Sequence, residues 1–301
     1  MTFTIGLIQQ PVPGDAKAAL EQAVTKVREA AKSGAQIICL QELFNAPYFC
    51  KVTDAERFDL AEPIPGPVVD RMRALAKELG VVLIVPIFEK RGAGVYHNSA
   101  AVIDADGALL GVYRKMHIPD DPLYHEKYYF TPGEIYQHDE TRPAAGFRVF
   151  KTKFATIGVL ICWDQWYPEA ARITALMGAQ VIFYPTAIGW HPKEKAEWGV
   201  AQADAWRTAQ RAHAIANGVF IAAANRVGFE AEPGTEGLEF FGHSFVADPF
   251  GRLIAEAGTD PAVLITECDP ALIEYTRRNW PFFRDRRIDA YGPILQRWIG
   301  G

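Results

Sequence analysis

Short apolar runs alternate with amphipathic stretches along this chain, and the order repeats once about midway. "FTIGLIQQ" (3–10) reads as a strand. A helical pattern from Asp15 to Lys32 follows, with Ala19, Leu20, Ala23, Val24 and Val27 on one face. "AQIICL" (35–40) then precedes a second helix over about 68–79. Four more strand-like runs come next: "GVVLIVPIFEK" (80–90), "VYHNSAAVID" (95–104), "LLGVYRK" (109–115) and "ATIGVLI" (155–161). Past Cys162 the series restarts with a helix over 168–177, "QVIFYPT" (180–186), a long helix over about 196–216 and "GVFIAAAN" (218–225). "HSFVADP", "GRLIAEA" and "AVLITECD" close it, before a short helix and an arginine-rich tail. Helices placed between strands must cover sheet faces, while consecutive strands joined by turns such as "DADG" (104–107) imply antiparallel pairs. The expectation is one layered α/β domain over residues 1–301 with internally duplicated βαβα halves, since no Gly/Pro/Ser linker marks a boundary.

Composition narrows the function classes. Apolar residues make up 49% of the 301, enough for a large core, and the net charge of −5 invites neither nucleic acid nor an anionic membrane. The longest apolar runs fall well short of the ~18–20 residues of a membrane span. "MTFTIGLIQQ" lacks a basic n-region and reads as a strand, so a cytoplasmic location is expected. Four cysteines (Cys39, Cys50, Cys162, Cys268) are scattered without C-x-x-C spacing, which fits reduced thiols better than disulfides or zinc.

Chemistry in α/β sheets gathers beyond the carboxyl ends of strands. Here those positions hold Glu42, Lys115, Cys162, Thr186 and Asn225. An acid, an amine and a thiol ending three strands are the parts of a thiol hydrolase. A free thiol with pKa about 8.5 is mostly protonated at neutral pH. A carboxylate in reach takes its proton as general base and returns it to a leaving amine. An ammonium opposite stabilises the oxyanion, and the backbone N–H of Trp163 is a second candidate donor. A helix beginning near Pro168 would favour negative charge beside the sulfur. Cys162 as an inert core thiol is the competing reading, and Cys39, Cys50 and Cys268 are read as packing.

The segments "LQELFNAPYFC", "YRKMHIPDDPLYHEKYYFTPG" and "GVLICWDQWYPEAAR" resemble the signature regions of the nitrilase (carbon–nitrogen hydrolase) superfamily. The resemblance runs from "IGLIQQ" to the tail "PFFRDRRIDAYGP". It implies a four-layer α-β-β-α sandwich, a homodimer or higher homo-oligomer, no cofactor and no metal. It also implies a catalytic triad of Glu42, Lys115 and Cys162, with Glu126 positioning the lysine. Residues from about 277 to 301 are then an arm used in subunit contacts. Within the superfamily, "CWDQWYPEAAR", "KMHIPDDPLYHEKYYFTPG" and "FYPTAIG" are most similar to the amidases of polyamine synthesis that act on N-carbamoylputrescine. Relatives acting on carboxylate-bearing carbamoyl amino acids carry arginines just after the cysteine; this chain has Asp164, Gln165 and Trp166 there. An acid and aromatics suit a cationic amine tail, through Coulomb attraction and cation–π contact of roughly 0.5–2 kcal/mol. Trp163, Asp164, Trp166, Tyr129, His125 and Thr186 are therefore the expected substrate contacts, with a structural cap the equal alternative for Asp164. The stretch 201–218 departs from the plant-type pattern, and were it to shape the amine end of the pocket, chain-length preference would differ. The expected reaction is hydrolysis of N-carbamoylputrescine. The alternatives are an ω-amide, ureido-acid or nitrile substrate, or a turnover-free assembly protein of the same fold.

Overall fold

The computed structural model describes residues 1–134 and 146–300. The first half runs β1 (Phe3–Gln9), α1 (Ala16–Lys32), β2 (Ile37–Cys39), α2 (Pro67–Leu79), β3 (Val82–Gly92), β4 (Val95–Ile103) and β5 (Leu109–Arg114). A one-turn helix, α3 (Glu126–Tyr129), follows. The second half runs β6 (Val149–Lys151), β7 (Thr156–Val159), α4 (Pro168–Leu176), β8 (Val181–Pro185), β9 (Gly189–Trp190), α5 (Pro192–Asn217) and β10 (Phe220–Ala224). Then come β11 (Val227–Glu230), β12 (Leu238–Phe241), β13 (Phe245–Ala247), β14 (Leu253–Glu256), β15 (Ala262–Cys268) and α6 (Ala271–Asn279).

These strands build two six-stranded sheets, ordered β15-β1-β2-β3-β4-β5 and β14-β13-β10-β8-β7-β6, and a small sheet β11-β12-β9. The duplication is visible in the pairing. β1, β2 and β3 are parallel and continue antiparallel into β4 and β5. β7, β8 and β10 are parallel and continue antiparallel into β13 and β14. The exchange is completed by β15, which crosses back to pair antiparallel with β1, Leu264 opposite Leu7.

Strand alternation divides the core as a sandwich requires. In β1, Phe3, Ile5 and Leu7 face the second sheet and pack with Ile157, Val159 and Phe183. Ile8 on the other face joins Val24 and Val27 of α1 and Met72 of α2. On the far side, Ala170 and Ala175 of α4 and Trp206 and Ala214 of α5 cover the second sheet. Burying each large apolar side chain contributes about 1.5–3 kcal/mol. The helices are thus outermost and the two sheets pack face to face, giving the four layers expected. At Gly158 on β7, a Cβ would come 2.2 Å from Thr174 Cγ2, so α4 seats against β7 only because residue 158 has no side chain.

Local signals set the helix starts. Asp15 caps α1 by accepting the Ala18 N–H, and Pro occupies the first turn of α2, α4 and α5. The long helix α5 begins four residues before the sequence-based estimate. His191 caps it by accepting from the Lys193 N–H, and Pro192 supplies a preset φ. After α6 the chain leaves Trp280, Ile288, Ile294, Leu295, Trp298 and Ile299 exposed.

Candidate active site

The first sheet contributes three of the four expected catalytic side chains. Glu42 stands just past β2, Lys115 directly follows β5, and Glu126 opens α3. Cys162 comes from the second sheet, beyond β7, as the first residue of a short 3-10 turn, Cys162–Trp166. Its φ is +42° and that of Leu43 is +49°. The left-handed region costs an L-residue roughly 1–2 kcal/mol, and such residues gather at functional sites. Of the three non-glycine residues at positive φ among the described residues, two thus lie at, or next to, the groups proposed for chemistry, and the third, His243 (+56°), follows β12.

Asp164 accounts for the Cys162 turn. Its carboxylate accepts the Ile161 N–H (2.9 Å), the Tyr113 hydroxyl (2.7 Å) and the His117 N–H (3.0 Å), with His117 Nδ1 at 2.7 Å. Tyr113 lies on β5 and His117 two residues after Lys115, so one buried carboxylate joins the loop after Lys115 to the turn that carries Cys162. The expectation that Asp164 attracts a cationic substrate is corrected here. The side chain is fully buried, its oxygens are occupied and it is not on the cavity wall.

A buried charge cluster surrounds the thiol. Lys115 Nζ donates to Glu42 Oε1 (2.9 Å) and to Glu126 Oε2 (2.7 Å). Asn98 Nδ2 donates to Glu42 Oε1 (2.7 Å), and the Tyr48 hydroxyl to Glu126 Oε1 (2.8 Å). Glu42 Oε2 has no hydrogen-bond partner among the described residues. The carboxylate is thus anchored through one oxygen and keeps the other for a proton.

Two carboxyl groups share one ammonium in a low-dielectric site. Burial pushes the Glu126 carboxyl up, against the opposing pull of Lys115. For Lys115, burial alone would lower the value, but the charges of Glu126 and Glu42 outweigh it and hold the ammonium charged. The Cys162 thiol is pushed well up by burial and by Glu42, with Lys115 and the Ala187 N–H opposing. At rest the thiol is held neutral.

Cys162 and Glu126 open onto a cavity of about 580 Å³, within the range of small-molecule pockets. Of the expected substrate contacts, Trp163 and Trp166 line it. Thr186, Tyr129 and His125 do not. The Thr186 hydroxyl donates to the Tyr184 carbonyl (3.0 Å), and its neighbour Ala187 is on the wall instead. Tyr129 packs edge-on to Phe49 and donates its hydroxyl to the Val52 carbonyl (2.7 Å). The His125 N–H donates to the Cys50 carbonyl (2.8 Å). Asn225 ties the wall together, accepting the Ile188 N–H (3.0 Å) and donating to the carbonyls of Ile188 and Gly242.

Sequence reading missed Tyr48, Asp121, Tyr124, Glu194 and Gln202, all on the wall. Glu194 lies in the first turn of α5 and accepts from Gln202 Nε2 (3.0 Å). The signal for it was Pro192, which marks the true helix start. Gln202 and Ala205 fall within 201–218, the segment that departs from the plant-type pattern.

The family model described as carbon-nitrogen hydrolase matches residues 4–278. N-carbamoylputrescine amidase of Solanum lycopersicum is 47% identical over 297 residues, 97% of this chain and 94% of that protein. Citrullinase of Francisella tularensis is 42% identical, covering 93% of each chain. The crystal structure of a carbon-nitrogen hydrolase from Helicobacter pylori G27 superposes with a TM-score of 0.93 at 43% identity, covering 99% of this chain and 100% of that one. The chain belongs to the carbon–nitrogen hydrolase family.

Proposed function

We propose that the chain hydrolyses N-carbamoylputrescine to putrescine, carbon dioxide and ammonia, with Cys162 as nucleophile. The observation that carries this reading is a cavity onto which Cys162 and Glu126 open, with Glu42 tied to Glu126 through Lys115 and the acids Asp121 and Glu194 on the same wall. The aromatic rings of Tyr124, Trp163 and Trp166 on that wall suit a tetramethylene chain ending in an ammonium. The similarity to plant N-carbamoylputrescine amidases supports the same substrate.

The steps follow from the cluster. Glu42 Oε2 takes the thiol proton as the sulfur attacks the carbamoyl carbon. Charge developing on the carbamoyl oxygen falls beside Lys115 and the Trp163 N–H. Glu42 returns the proton to the departing ammonia, leaving a thiocarbamate on Cys162. Water, deprotonated by Glu42, then adds to that carbon and expels the thiol. The product is a carbamic acid, which breaks down to putrescine and carbon dioxide. Glu126 keeps Lys115 aimed and charged throughout.

A specific observation favours a second reading, a ureido amino acid of the citrulline type. Lys51 Nζ sits 4.5 Å from the Tyr124 ring centroid without a hydrogen-bond partner among the described residues. Burial lowers its pKa, and Asp121 and Glu194 partly offset this. Lys51 stands behind the Tyr124 ring of the cavity wall, so a substrate carboxylate reaching past that ring would find a cation. Ammonia release from N-carbamoylputrescine, citrulline, β-ureidopropionate, ω-amides and simple nitriles decides the matter. Preference for a ureido acid would overturn the first reading.

The chain is proposed to act as one hydrolase unit in the cytoplasm, the latter supported by four free cysteines. The arm over 277–301 is proposed to contact a second copy, since its Trp280, Leu295 and Trp298 are exposed in a single chain. A sizing column with light scattering tests this.

A further inference from the structure

The acids and the thiol hang from different sheets, so their spacing depends on what joins the two sets of exit loops. Arg226 lies two residues beyond β10 of the second sheet and is fully buried. Its guanidinium reaches the loop that leaves the first. Nη2 donates to the carbonyls of Glu42 (2.9 Å), Leu43 (2.8 Å) and Ala46 (3.2 Å). Nη1 donates to both oxygens of Glu230, at 2.9 and 3.0 Å. Glu230 Oε2 in turn accepts the Tyr48 N–H (2.7 Å), and the Tyr48 hydroxyl reaches Glu126.

We propose that Arg226 is a positioning residue that sets the spacing between the Glu42 carboxylate and the Cys162 sulfur, and through Glu230 and Tyr48 the aim of Glu126. The inference rests on reading Glu42 as the general base. A planar fork is needed because one head group serves three carbonyls on one side and a carboxylate on the other, which a lysine ammonium cannot do. The strained Leu43 lies between the carbonyls that are held, so releasing them lets this loop relax away from Cys162. A group shifted by 1 Å from its working position can cost about 10²-fold in rate.

The test compares R226K and E230Q with the wild type. Melting temperature and circular dichroism report the fold, and ammonia release gives kcat and KM on whichever panel substrate the wild type turns over best. Mass spectrometry follows iodoacetamide alkylation of Cys162 against pH. R226K is expected to lose about 10²-fold in kcat with KM within about threefold, because the loss falls on the chemical step rather than on binding. The alkylation midpoint is expected to move to lower pH, because the repelling Glu42 charge has moved away from the thiol. A merely structural arginine would lower the melting temperature without moving that midpoint. A folded R226K with kcat within about threefold of wild type overturns the proposal, as does a kcat loss with the midpoint unmoved. If R226K does not fold, E230Q tests the Glu126 branch through kcat: a fall of about tenfold or more with KM within about threefold is expected, and a folded E230Q with kcat within about threefold of wild type overturns the proposal. Failure of the wild type on N-carbamoylputrescine would remove the substrate reading alone, since the alkylation midpoint needs no substrate.

Discussion

Replacing Tyr48 by phenylalanine removes one hydroxyl and little else. That hydroxyl donates to Glu126 Oε1 at 2.8 Å, and both residues are buried. The bond favours the ionised carboxylate, so its loss pushes Glu126 further up, in the direction burial already takes it. A buried hydrogen bond to a charged group contributes about 1.5–3 kcal/mol. At about 1.36 kcal/mol per pH unit, the acid limb of the kcat profile should rise by about one to two units. The sign is fixed: a carboxyl that holds its proton more tightly becomes protonated at higher pH, so Y48F loses activity earlier on acidification. Because kcat reports the enzyme–substrate complex, any change in substrate affinity caused by the altered cavity wall leaves this limb alone. Stopped-time ammonia assays from pH 4 to 9 on wild type and Y48F measure it, with E126Q as the control that should lack this ionisation. An acid limb that stays in place, or moves down, refutes the claim that ionised Glu126 is the working form.

Three further outcomes follow from the geometry. E194Q should raise KM for a cationic substrate about tenfold or more, the loss of one charge-assisted contact, and leave a neutral N-alkylurea unaffected. Equal effects on both would place the amine elsewhere. D164N turns an amide toward donors that need an acceptor and should cost about 2–3 kcal/mol in a urea titration, with kcat falling alongside. Unchanged stability would remove Asp164 as the pin between Tyr113, His117 and Ile161. His213 is buried with Nε2 at 2.8 Å from the Gln165 carbonyl, and burial holds its pKa below the ordinary value. The unfolded chain then binds the extra proton first, so stability falls as pH drops below the unfolded value of about 6.5, by at most about 1.4 kcal/mol per unit. H213Q should flatten that slope in chemical denaturation; a steeper slope would refute the assignment.

How far the sequence carried depended on whether a feature is local. Strand ends are local, so Glu42, Lys115 and Cys162 were legible from apolar runs that stop at a reactive residue. The duplicated order was legible for the same reason. The small sheet of β9, β11 and β12 was not, because β9 has two residues and no period to detect. Asp164 misled because its position beside Cys162 says nothing about which way a carboxylate turns in a 3-10 turn. Its partners Tyr113 and His117 are 51 and 47 residues away in sequence. Glu194 was missed at a helix boundary, and Asp121 because a loop carboxylate reads as solvated until the wall behind it is known. Arg226 was invisible as a tie, since its carbonyl partners lie some 180 residues earlier.

The electrostatics of the cluster also constrain the order of events. In a cysteine–histidine site the imidazolium stabilises a thiolate before substrate arrives. Here burial and the Glu42 charge outweigh Lys115, and ionising Cys162 would add a negative charge to a buried site. The proton therefore stays on sulfur until bond formation moves charge from sulfur onto the carbamoyl oxygen, beside Lys115. Proton transfer to Glu42 and attack on carbon are then coupled, and the anchored Oε1 with its unpartnered Oε2 is the geometry that coupling needs. Iodoacetamide offers no such oxygen near Lys115, so alkylation of the free enzyme at neutral pH should be slow and should accelerate on the alkaline side. In E42Q the repelling charge is gone, and alkylation should become faster at pH 7 while hydrolysis is lost. Loss of both together would mean that Glu42 generates a resting thiolate, and the coupled mechanism would fail.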